Sequence, residues 1–254
     1  MDIVLVTLPQ ILKLLARVAL YNGMWEQAAA NASLLIHDTA TYPWEPDAGK
    51  VFLKEATTTI WQFHPALSGQ NTLEASNFIF VTAPPPLLAL SPGLMDAFEA
   101  NDIRKALWTK AVSNENGTWY HPDKYRENTL TASSMEYSIV FRLSEQYLIR
   151  AEANAQLGRL AEALEDLNFI RHSAGLSDSP ATTSVEILEA IQKERRVEFF
   201  SEHGHRFFDL KRTGNLDKAL TPVKLGWDTN DRLLPIPQTE LLTNPNLAPQ
   251  NPGY

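Results

Sequence analysis

Two stretches of the chain repeat one arrangement of small, turn-forming and large apolar positions. The first carries Ala16, Gly23, Trp25 and Ala28; the second carries Ala151, Gly158, Leu160 and Ala163. In both, seven positions separate the first Ala from Gly, two separate Gly from the large apolar residue, and five separate Gly from the second Ala. This spacing predicts a tetratricopeptide-like helix pair. The alanines let two helices approach closely, and the glycine supplies a positive φ at the turn. Trp25 and Leu160 plug the mouths of the two hairpins. The pairs occupy residues 10–37 (helices over 10–21 and 25–37) and 144–174 (helices over 144–156 and 160–174). The copies start 135 positions apart, at Ala16 and Ala151, so they are not tandem.

The intervening segment, residues 38–141, reads as a loop-rich insertion. Pro84-Pro85-Pro86 cannot lie inside a helix. Ile60-Trp61-Gln62-Phe63-His64 alternates and predicts a short strand. Ser91-Pro92-Gly93 followed by Leu94, Ala97 and Phe98 reads as a helix start with Pro in its first turn, and Asn101 to Arg104 as the turn after it. Beyond the second pair, Val185, Leu188, Ile191 and Val197 predict a helix over 184–200 with Ser184 as its cap. From Thr221 the tail is rich in Pro and Asn and is expected to run extended across the helices.

Charge narrows the function. The formal net charge of −8 argues against nucleic acid, whose phosphates need a basic face, and against anionic lipid. Cysteine is absent, which removes disulfides, thiolate metal sites and a Cys nucleophile. No run of about 18 apolar residues predicts a membrane span. Met1 to Pro9 is apolar, but it lacks the basic start of a secretion signal.

Motifs that could carry chemistry have structural readings beside them. Glu194, Glu198 and Glu202 share one helix face with Arg195 and Arg196 alongside. They could be an acid/base or metal cluster, and the ion-pair network is the reading taken. His203 and His205 flank Gly204, yet no third ligand stands at zinc-binding spacing. Arg206 and Asp209 are expected to satisfy backbone groups or each other at a helix corner. Asp228-Thr229-Asn230-Asp231 lacks the Gly and closing Glu of a calcium loop and reads as a turn. No phosphate-loop or nucleophile-elbow pattern is present. No catalytic residue, metal ligand or cofactor is therefore assigned.

The run Gln192-Lys193-Glu194-Arg195-Arg196-Val197-Glu198-Phe199-Phe200-Ser201-Glu202-His203-Gly204-His205-Arg206-Phe207-Phe208-Asp209-Leu210-Lys211-Arg212-Thr213-Gly214 resembles the C-terminal signature of the SusD/RagB family. So do Leu233-Leu234-Pro235-Ile236-Pro237-Gln238, Asn244-Pro245-Asn246-Leu247 and the closing Gln250-Asn251-Pro252-Gly253-Tyr254. Leu94 to Arg104 is similar too. The resemblance covers nearly all of residues 1–254 as one SusD-like domain, a fragment, with the signature region at 184–254. It implies a mainly all-α, SusD-like superhelical fold. It also implies non-catalytic binding of an oligosaccharide or polysaccharide at the outer-membrane surface, and delivery to a SusC-like TonB-dependent transporter. Membrane association would use only a lipid anchor, which this chain lacks. Family members are roughly twice this length, so the chain corresponds to the second half of one. Missing N-terminal helices would leave an apolar face at Leu12, Leu15 and Val18 exposed, which predicts dimerisation or aggregation. A tetratricopeptide-type interaction scaffold and a glycoside hydrolase are the alternatives.

Aromatic side chains stack on the apolar faces of sugars, while Asn, Asp or His bonds the hydroxyls. Trp44, Trp61, Trp108, Trp119 and Tyr120 fall in the insertion, with His64, Asn71 and Asn77. Trp61 and Trp108 sit in apolar contexts that suit the core. Trp119-Tyr120 follows a polar stretch and is expected on a loop. Trp61, His64, Asn71, Asn77, Trp119 and Tyr120 are the candidate ligand-binding residues.

Overall fold

The structure is a computed structural model that describes residues 8–254; of the apolar N-terminal stretch, residues 1–7 lie outside it. Two compact units divide the chain between His203 and Gly204.

The first unit is built on helices α1 (Leu8–Tyr21) and α2 (Trp25–Ile36). After them come strand β1 (Thr59–Phe63), helices α3 (Leu73–Phe78), α4 (Pro92–Met95) and α5 (Ile103–Trp108), and strands β2 (Thr109–Asn114), β3 (Gly117–Pro122) and β4 (Ser138–Arg142). Helices α6 (Leu143–Gln156), α7 (Leu160–Ser173) and α8 (Ser184–Glu198) complete it. The mainly helical fold class expected from the sequence is what the chain adopts. Both hairpin turns form on glycine, Gly23 at φ +69° and Gly158 at φ +76°. Ala16, Ala28, Ala151 and Ala163 are wholly buried, so the helices meet backbone to backbone at those points. Trp25 packs on the alanine cluster of the first hairpin.

One cap differs from the sequence reading. Thr183, not Ser184, caps α8, in a capping box closed by Glu186. Ser184 turns instead to donate to the carbonyl of Ala155. A threonine one position upstream already has the extended backbone the cap requires.

The insertion is more ordered than loops. β1 pairs antiparallel with β4, running from Thr59 opposite Arg142 to Phe63 opposite Ser138. β2 and β3 form a hairpin closed between Asn114 and Gly117. Trp119 and Tyr120, expected on a loop, therefore lie in β3; the turn residues Asn114 to Gly117 set a tight hairpin rather than a polar excursion. Trp108 is in the core, stacked edge-on against Phe52, and its indole N–H donates to the Ala48 carbonyl.

Glu194 and Glu198 on α8 form an ion-pair network with Glu202, which the helix end at Glu198 leaves in the following turn rather than on the same helix face. Arg104 joins Asp102, Glu194 and Glu198; Arg142 joins Glu198 and Glu202; Lys124 reaches Glu202. These groups are buried where the starts of α5 and α6, the segment after β3 and the end of α8 meet. Burial alone would raise the Glu198 carboxyl, but Arg142 and Arg104 outweigh it and hold it at about 2. Glu202 is likewise held at about 2, by Arg142 and Lys124. A second buried site ties α1 to α6: Arg17 grips Glu145 with two bonds of 2.7 Å, and Lys13 contacts the same carboxylate.

The second unit, Gly204–Tyr254, contains α9 (His205–Arg212), α10 (Leu216–Leu220) and α11 (Gln238–Thr243) with short 3-10 turns at Thr229–Arg232 and Pro245–Leu247. Its tail is thus only partly extended. Asp209 pairs with Arg212, and Asp228 caps the 3-10 turn that the sequence suggested as a turn.

Candidate functional site

A cleft of about 570 Å³ opens in the first unit at the end of β1. One wall is Phe63, His64, Pro65 and Ala66; the others come from residues 70–73 with Ser76, from Glu127 to Leu130, and from Ser138. Side chains two apart on a strand share a face, and the rings of Trp61 and Phe63 meet edge to face with centroids 5.6 Å apart. Trp61 also packs on Phe141 and so anchors this aromatic edge to the core. Phe63, at the strand end, is left 58% exposed. The His64 ring lies 4.7 Å from that of Tyr137.

The cleft is held open by Asn71. Its amide nitrogen donates to Thr131 Oγ1 at 2.9 Å and to the Thr129 carbonyl at 3.2 Å. Its carbonyl oxygen accepts from the N–H groups of Met135 and Glu136 at 2.8 and 3.2 Å. Gly69 adds a backbone pair with Thr131. At φ +82°, a Cβ on Gly69 would stand 2.4 Å from the Thr131 oxygen, so only glycine allows this approach. Below the wall, Glu136 accepts the N–H groups of Arg126 and Glu127. Burial still pushes its carboxyl upward against those two donors. Ser138 donates to Glu74 at 2.7 Å.

The structure thus separates the six sequence candidates. His64 and Asn71 line this cleft, and Trp61 supports it through Phe63. Asn71 has its polar atoms committed to the loop and acts on the cleft's shape. Tyr120 lines a second, shallower cleft of about 550 Å³ with Phe98, Asn101, Lys105 and Ala111, and packs against the core. Asn77, exposed on α3, and Trp119, whose ring lies against Gly117, line neither cleft. Phe63, Leu73, Asn128 and Leu130 were not singled out from the sequence. Phe63 was within reach of strand alternation from Trp61, and Leu73 lies ten residues beyond it; Asn128 and Leu130 are brought in by a chain segment more than fifty residues away. Asn128 is exposed with an uncommitted side-chain amide. Among the described residues no three His, Asp or Glu side chains group as a metal site, and no helix is long and apolar enough to cross a membrane.

The model of the SusD family matches residues 108–254. SusD-like protein P38 of Formosa agariphila is 32% identical over 142 residues, which cover 52% of this chain and 27% of that protein. A SusD superfamily protein from Bacteroides vulgatus superposes with a TM-score of 0.79 at 21% identity, covering 96% of this chain and 62% of that one. A laminarin-binding SusD-like protein superposes with a TM-score of 0.73 at 25% identity, covering 98% of this chain and 63% of that one. The chain spans less than two thirds of the length of these relatives.

Proposed function

This chain belongs to the SusD family, and on that footing we propose that it binds an oligosaccharide or polysaccharide without catalysis, in the cleft beside Phe63. The observation that carries the reading is a well-exposed ring on the wall of a rigid cleft that also offers uncommitted polar groups. A sugar ring has apolar C–H faces, and covering them against Phe63, Leu73 and Leu130 removes apolar area from water. Asn128 and the second ring nitrogen of His64, whose Nδ1 lies against the Pro65 carbonyl, can bond hydroxyls. Loops fixed by Asn71 and Gly69 need no ordering on binding, which spares the entropy cost of a mobile site.

Absence of chemistry suits the lining. Glu127 is its single carboxylate, whereas a glycosidase needs a pair about 5–10 Å apart. In the same reading the protein acts at the surface of the outer membrane and hands its glycan to a TonB-dependent transporter of the SusC type. The laminarin-binding relative makes laminarin the first polysaccharide to try.

Affinity electrophoresis against a panel of polysaccharides tests the reading, with Phe63→Ala run alongside. Retardation by a glycan that the variant loses is the expected result. A protein that migrates freely through every polysaccharide contradicts it.

A further inference from the structure

Resting on the reading above, we infer that the Phe63 cleft selects uncharged glycans and rejects those bearing uronate or sulfate groups. The fixed charges set around its lining are acidic. No Lys or Arg is among the fourteen lining residues. The basic side chains nearest along the chain are committed elsewhere. Arg126 donates to the carbonyls of Leu107 and Asp123 and pairs with Asp123. Lys54 pairs with Glu55. Lys124 and Arg142 are buried in the ion-pair network behind.

The acids, by contrast, are close. Glu127 lines the cleft, Glu74 lies behind it on Ser138, and Glu136 sits beneath the backbone of Arg126 and Glu127. Tight recognition of a carboxylate or sulfate ester calls for Arg, Lys or a set of backbone N–H donors. Here the N–H groups of Arg126, Glu127, Met135 and Glu136 are already taken by Glu136 and Asn71. A polyanion would therefore meet acids with no compensating Lys or Arg, on a chain of formal net charge −8. What the lining does offer (the Phe63 ring, Leu73, Leu130 and the amide of Asn128) matches hydroxylated, uncharged sugars.

The test is affinity electrophoresis of the wild-type chain, Phe63→Ala and Glu127→Lys. The probes are laminarin, barley β-glucan and xyloglucan as neutral polysaccharides, with alginate, polygalacturonate and carrageenan as anionic ones. Wild type should be retarded by at least one neutral probe and by no anionic one, and Phe63→Ala should lose the retardation. Neutral binding should be unchanged between low salt and ionic strength of about 0.15 M, where charges are screened beyond about 8 Å. Glu127→Lys should gain retardation by an anionic probe. Two results overturn the inference alone: an anionic probe retarding wild type but not Phe63→Ala, or no gain in Glu127→Lys; neutral binding that survives Phe63→Ala overturns the placement of the site in this cleft as well. Migration unaffected by all six probes overturns the glycan-binding reading itself. Because Phe63 is largely exposed, the variant should melt like wild type, which separates loss of ligand from loss of fold.

Discussion

Replacing Glu198 with Gln should destabilise the first unit by several kcal/mol. The carboxylate is 4% exposed and accepts from Arg104 at 2.8 Å while pairing with Arg142. Removing its charge leaves two buried guanidiniums short of a counter-ion, a change that costs about 3–5 kcal/mol. The lowered carboxyl points to a loss of similar size. Holding the carboxyl at about 2 rather than its ordinary 4.5 is worth about 3 kcal/mol, at about 1.4 kcal/mol per pH unit. The sign follows from linkage: a carboxyl lowered on folding stabilises the native state above its unfolded value. That contribution fades as pH falls from about 4.5 to about 2. Urea unfolding of wild type and Glu198→Gln between pH 7 and pH 3 measures both quantities. The gap between the two proteins should be widest at pH 7 and shrink on acidification. As a control, Glu26→Gln breaks the exposed Glu26–Arg159 pair and should cost no more than about 1 kcal/mol. A loss below about 1 kcal/mol for Glu198→Gln, or a gap that does not change with pH, refutes the reasoning.

Lys13 is wholly buried, and burial lowers its ammonium to about 7, with Glu145 only partly offsetting it. A base lowered on folding gains stability as pH rises through that value, so wild type should become more stable relative to Lys13→Met from pH 7 to 10. At pH 7 Lys13→Met should be neutral or stabilising, since Arg17 still satisfies Glu145; a loss above about 2 kcal/mol in urea unfolding would count against this. Gly69→Ala should lower the melting temperature and weaken glycan retardation together, because its Cβ meets the Thr131 carbonyl. Gly158→Ala, with open space around it, should cost only about 1 kcal/mol of turn strain. Leu12, expected on the same exposed face, packs against the core, but Leu15 and Val18, 46% and 52% exposed on α1, should drive self-association; light scattering should show wild type larger than Leu15→Glu/Val18→Glu, and a monomeric wild type would refute this.

Local interactions made much of this protein legible from its sequence. The two Ala–Gly–large–Ala patterns set both helical hairpins, because close helix contact demands a missing side chain and the turn demands a positive φ. Residue spacing likewise placed Glu194 and Glu198 on one face of α8 beside basic side chains, whereas Glu202, expected on the same helix face, lies in the turn beyond the helix end. Which arginines answer them was not readable: Arg104 and Arg142 arrive from residues 94 and 56 positions away from Glu198. The same limit governed the cleft. Composition pointed to aromatic and amide residues of the insertion, yet strand pairing decided that Trp61 would support and Phe63 would face outward. A hairpin decided that Trp119 and Tyr120 would not form a joint platform. Asn71 could be chosen from its chemistry, but only the folded chain shows its amide spent on holding loops. Periodic, short-range features follow from the backbone and its neighbours; a site assembled from residues 63, 73, 128 and 138 exists only once distant segments have packed, and the sign of its charge with it.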